Sequence, residues 1–153
     1  MKNLLQGITC LLFMLTCIFS NAQKPPVKEP DTERPSLFKQ LPQQSNCRIN
    51  DLQTLLNNSI GTQVNIQIAE NLQFQGTVIS VANKYDNTVK SVVVRSSNFP
   101  GAALTFSKIK KEDGSFYFTG RIISYQHADA YEIVLANGQY SFVKKGFYDM
   151  VND

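Results

Sequence analysis

The feature that most constrains the fold is a short pattern that occurs twice. Phe74-Gln75-Gly76-Thr77-Val78-Ile79-Ser80 and Phe118-Thr119-Gly120-Arg121-Ile122-Ile123-Ser124 share the form F-x-G-x-[VI]-I-S. Each copy opens a run of alternating apolar and polar residues, the period of a half-buried strand. The downstream runs are alike too, Ser91-Val92-Val93-Val94 corresponding to Glu132-Ile133-Val134-Leu135, and Leu104 to Lys108 corresponding to Gln139 to Lys144. The second copy is shorter at its turns, where Asn137-Gly138 replaces the longer Ser96 to Gly101 connection. Asn-Gly between alternating runs is a strong two-residue hairpin signal.

A three-stranded meander is too small to close a core alone, so two similar ones are expected to pack together. With the strand Val64 to Ile68 this predicts a mainly β domain, a small barrel or sandwich of about seven antiparallel strands. Gly76 and Gly120 come two residues after the aromatic rings of Phe74 and Phe118, where a missing side chain permits bending or close approach. These four residues are read as structural, and the coiling favours a barrel. One short helix precedes the strands, with Asn50 as its N-cap, Leu52, Leu55 and Leu56 on one face, and Gly61 as its stop.

The first 22 residues have the order of a cleavable export signal: Lys2, an apolar stretch from Leu11 to Phe19, then Ser20-Asn21-Ala22. The apolar stretch is shorter than the roughly 20 residues of a membrane-crossing helix, so no transmembrane anchor is expected. Cys17 offers lipoprotein anchoring as a lesser alternative. The expected location is periplasmic or secreted. Cleavage would remove Cys10 and Cys17 and leave Cys47 alone, which excludes an intramolecular disulfide. It would also remove Lys2, leaving 14 basic against 12 acidic side chains, too even a balance to suggest nucleic acid.

From residue 23 to 45 the chain is rich in proline, with Pro25, Pro26, Pro30, Pro35 and Pro42. This reads as a disordered linker in which only Leu37-Phe38 has apolar substance to dock with. The single β-rich domain then runs from 46 to 153.

Catalysis finds little support. His127 and Asp129 would share a face of an extended segment, which admits a metal or acid-base role, but both lie at a turn whose backbone such residues commonly satisfy. Cys47 carries no nucleophile signature, and no phosphate loop or metal-spaced cluster is present, so no cofactor is expected. Lys108, Lys110, Lys111, Lys144 and Lys145, with Phe147 and Tyr148, stand at the ends of corresponding strands. Side by side they would make a basic, aromatic-edged binding patch, although edge lysines also serve to block aggregation. The expectation is an exported, non-catalytic binding domain whose partner is another extracytoplasmic protein. The alternatives are a secreted enzyme or metal-binding domain centred on His127 and Asp129, and an inhibitor or chaperone of a secreted enzyme that inserts the Ser96 to Gly101 loop.

Overall fold

Alternation turns into strands wherever one face can be covered, and here eight segments achieve it. The computed structural model describes residues 33–151; the expected export signal and the first part of the proline-rich stretch lie outside the described residues. The strands are β1 (Gln44–Asn46), β2 (Gln63–Ala69), β3 (Leu72–Lys84), β4 (Val89–Ser96), β5 (Ala102–Lys110), β6 (Phe116–Ser124), β7 (Asp129–Ala136) and β8 (Gln139–Gly146), with helix α1 (Ile49–Leu55) and a single helical turn α2 (Phe147–Val151). All pair antiparallel in one sheet ordered β1-β8-β7-β6-β5-β4-β3-β2, curled into a half-barrel. The two edge strands are linked through a bridge between Cys47 and Ala69, reinforced by the Arg48 amide on the Ile68 carbonyl at 2.9 Å.

The inner face carries the core. Phe74, Val78, Val92, Val94, Leu104, Phe106, Ile122, Ile133 and Phe142 are buried there together with Leu52 and Leu55 of α1. Removing this much apolar surface from water is the main stabilising term in a domain without disulfides. The outer face is covered locally by α2, whose Phe147 packs with Ile123 and Ala130.

The strand count is eight and not seven, because β1 forms within residues assigned by composition to the linker. Residues 34–46 lie against the barrel, and Phe38 is 1% exposed. Proline content did not prevent this, since the segment makes few ladder bonds and is held mainly by side chains of distant strands. The helix also starts differently from expectation. Its N-cap position is Arg48, without a side-chain cap, and Asn50 lies inside the helix. The chain enters α1 directly from the bridge to β2, so tertiary pairing sets the start where a capping side chain was expected to.

The turns adopt the geometry their residues favour. Asn137 and Gly138 both have positive φ, 52° and 76°, and Ala136 pairs with Gln139 across them, the geometry of a type I′ hairpin. Gly76 and Gly120 are both buried on the inner face, at points of very close approach. A Cβ at Gly76 would lie 2.1 Å from the Arg95 carbonyl oxygen, and one at Gly120 would lie 2.6 Å from that of Thr105. The two are not equivalent, because Arg95 belongs to the strand after its glycine and Thr105 to the strand before.

Candidate functional site

His127 and Asp129 are both occupied with the fold. His127 sits in the β6–β7 turn, where its Nδ1 hydrogen-bonds the Ser124 hydroxyl at 2.8 Å. Asp129, buried at the start of β7, accepts from the Ser36 hydroxyl and from the amides of Leu37 at 2.6 Å and Phe38 at 2.9 Å. Its carboxylate therefore terminates the N-terminal arm and presents no open ligand set. Among the described residues no group of three His, Cys, Asp or Glu side chains could hold a metal ion.

The lysines do not assemble into one patch. Lys108 lies opposite Phe118 of β6, whereas Lys144 lies opposite Tyr131, which itself faces Ile122 of β6. Along β6 the two are four residues apart, about 13 Å at the rise of a strand. The physical reason is the odd number of strands per meander, which makes β5 and β8 run in opposite directions. Lys144 is a latch: its Nζ donates to the carbonyls of Phe38 and Leu41, both at 2.7 Å. Lys145 is exposed beside it. Phe147 and Tyr148 hold Arg34, whose guanidinium lies 5.1 and 5.4 Å from their ring centroids. Lys108 donates to Gln53 Oε1 at 3.3 Å and stands 3.9 Å over the Phe116 ring, while Lys111 approaches Tyr117 and Lys110 projects from the strand end.

The Ser96 to Gly101 loop also turns inward. Phe99 is half-buried, 5.3 Å from the Phe38 ring and 6.1 Å from that of Phe74. Asn98 fastens the loop to the backbone of Gln73 and Gln75. A loop bound this way does not present Phe99 for insertion elsewhere.

Cys47 is half-buried between β8 and β2, its amide on the Tyr140 carbonyl at 3.0 Å. Burial pushes its thiol from an ordinary 9.0 up to about 12. Burial, and then the charge of Asp129, likewise pushes the Tyr131 phenol up to about 12; its hydroxyl donates to the Pro42 carbonyl. At neutral pH a shift of this size lowers the thiolate fraction on the order of a thousandfold. Labelling of Cys47 by an aromatic disulfide at pH 8 is therefore expected to be about that much slower in the folded protein than in denaturant, and equal rates would refute the burial. The same shifts give the sign of the pH dependence. The fold keeps both groups protonated while the unfolded chain releases their protons above 9 and 10, so their contribution is complete below pH 9 and is lost as pH rises towards 12. Denaturation midpoints should fall above pH 9, less steeply in Cys47→Ala and Tyr131→Phe.

Sequence reasoning missed the part of the surface that is open. β3 has 13 residues, but β2 accompanies it only as far as Thr77, opposite Gln63. Gly61 and Thr62 then bond Val78 at 2.8 and 2.9 Å. Beyond Val78, Ile79 is the extra residue of a bulge, the stretch Ser80–Lys84 pairs with β4 on one side, and among the described residues no strand lies on the other. Ile79 and Val81 are 37% and 40% exposed there, and Tyr85 at the hairpin tip is 77% exposed. Tyr85, Asp86 and Asn87 all adopt positive φ, between 51° and 69°. Asp and Asn tolerate that conformation, whereas for tyrosine it stores strain. Beside the edge runs a groove of about 180 Å³ lined by Leu56, Asn57, Asn58, Val81, Asn83 and Lys90 among others.

Comparison of the chain with models of protein families, with curated proteins and with solved structures finds no match. No helix among the described residues is long and apolar enough to cross a membrane.

Proposed function

We propose that this chain is an exported, non-catalytic interaction domain that takes an extended segment of another extracytoplasmic protein along the free edge of β3. The observation that carries this reading is the mismatch in length between β2 and β3, which leaves Ile79–Lys84 without a neighbour on one side. A free edge offers amide and carbonyl groups in register for an added strand, and the side chains beside it give selectivity. Natural edges are usually blunted by proline, by inward charges or by cover. This one has no proline; it carries a bulge at Ile79 and a lysine at its end, Lys84, but from Ser80 to Asn83 it runs regular and uncharged, with Val81 40% exposed. The groove along Leu56 to Asn58 adds a wall against which alternate side chains of a guest could rest. Residues 23 to 32, with Pro25, Pro26 and Pro30, have the composition of a tether.

The test is capture from envelope and medium fractions after mild cross-linking, with the wild-type chain and with Val81→Glu. The expected result is a partner recovered by the wild type and at least about tenfold less by the variant, because a carboxylate at the edge opposes strand addition. Recovery of the same protein in equal amount by both would sink the proposal, provided the variant keeps its melting temperature.

A further inference from the structure

We infer that the guest strand at the β3 edge is acidic, an inference that rests on the edge-docking reading above. Lys90 of β4 and Lys108 of β5 are direct register partners, and they share the inner face with buried Val92 and Phe106. Like charges directly opposed on a sheet face destabilise it, and among the described residues neither has a carboxylate within ion-pair distance, the ion pair found there being Arg48–Asp51; Lys108 turns to Gln53 and the Phe116 ring, which leaves the Lys90 charge to the guest. Lys110 comes two residues on with the same parity, and Lys84 closes the free edge itself. Asn83 lies opposite Lys90 with its side-chain amide donating to Asn87 Oδ1 at 2.7 Å, and Asn57 lies across the groove. The acids nearest in sequence are Asp86 at the β3–β4 tip and Glu112 and Asp113 at the β5–β6 tip. Asp113 is engaged by Ser115 through its amide at 2.8 Å and its hydroxyl at 2.6 Å.

Three occupants can be weighed on these facts. A second copy would set its own Lys84 and Lys90 against the same unneutralised charges. The chain's own residues 23 to 32 contain Pro25, Pro26 and Pro30, which lack the amide hydrogens that a ladder requires. An extended segment of another protein paired with β3 would lie two strand spacings, about 10 Å, from β4, within joint reach of a lysine and a glutamate side chain, so acidic residues on its inner face satisfy both the edge and Lys90.

The experiment is selection of a displayed library of random octapeptides against the full chain at about 0.15 M salt, where long-range charge effects are already screened. Acidic sequences with alternating apolar residues are expected to be enriched, and the enrichment to disappear with Val81→Glu. Lys90→Gln combined with Lys110→Gln, a polar-for-polar change that does not rely on the folding of the first variant, should keep binding of neutral peptides and weaken the acidic ones about tenfold. Enrichment of neutral or basic sequences that still depends on Val81 would overturn the acidic guest and leave the edge reading standing. Absence of any enrichment over Val81→Glu would overturn both. Dextran sulfate, which carries charge without an amide backbone, should compete poorly. Competition equal to that of the selected peptide would assign the lysines to polyanion binding and end the strand proposal.

Discussion

Phe38→Ala is expected to destabilise the domain by about 3 to 5 kcal/mol, the usual loss when a fully buried aromatic is truncated and its cavity remains. Phe38 is 1% exposed, with its ring 5.0 Å from that of Tyr131 and 5.3 Å from that of Phe99. The arm that carries it is fastened at three more points: Asp129 receives Ser36, Leu37 and Phe38, Lys144 binds the carbonyls of Phe38 and Leu41, and Tyr131 binds that of Pro42. A melting temperature lower by roughly 10 °C or more is the expected reading in a domain of this size. The double variant Phe38→Ala/Asp129→Ala should cost clearly less than the two single changes added, because both release the same arm. Full additivity, or a melting curve unchanged by Phe38→Ala, would show that the arm is only resting on the domain.

The second large effect is expected from the smallest change, Gly76→Ala. An added methyl group there meets the Arg95 carbonyl oxygen at 2.1 Å and its carbon at 2.9 Å. These are backbone atoms of a paired strand, so the collision cannot be relieved by rotating a side chain. β3 and β4 must separate at the Gly76 to Ser96 pair, next to the buried Val94. A loss of about 2 to 4 kcal/mol is expected, at the upper end for overpacking. Gly138→Ala is the control: its φ is positive but no atom lies within 4 Å of the added carbon, so the cost should stay near 1 kcal/mol. Chemical denaturation of the wild type and the two variants checks the order, and a Gly76→Ala protein as stable as the Gly138→Ala one would refute the close-approach account.

Local chemistry was legible in the sequence where local chemistry decides. The alternation of β2 to β8, the Asn137-Gly138 hairpin and the apolar face of α1 could all be read from residues within one element. β1 could not, because three residues in a proline-rich context carry no period of their own, and their partners on β8 are about a hundred positions away. The same distance hid the use of Asp129 and Lys144. From sequence they are an acid near a histidine and a lysine in a cluster, and only the returning arm turns them into latches. The open edge was hidden for another reason. It arises from a difference between two strand lengths, set by where the loop after α1 rejoins the sheet, and no residue of β3 marks it.

The arrangement of the arm has a consequence for how the chain acquires its structure. The arm, Ser36 to Asn46, finds its hydrogen-bonding partners on β7 and β8, with contacts separated by 89 to 106 positions, and its Phe38 ring also packs on Phe99. Such separations place folding in the slow, millisecond-to-second range of β proteins. Until the β7–β8 hairpin is available, β1 has no strand to pair with and the slot for Phe38 beside Tyr131 is unformed. A domain that folds as it is made therefore leaves this arm unseated until β7 and β8 have formed, and one of its last steps is to close residues 36–46 over them.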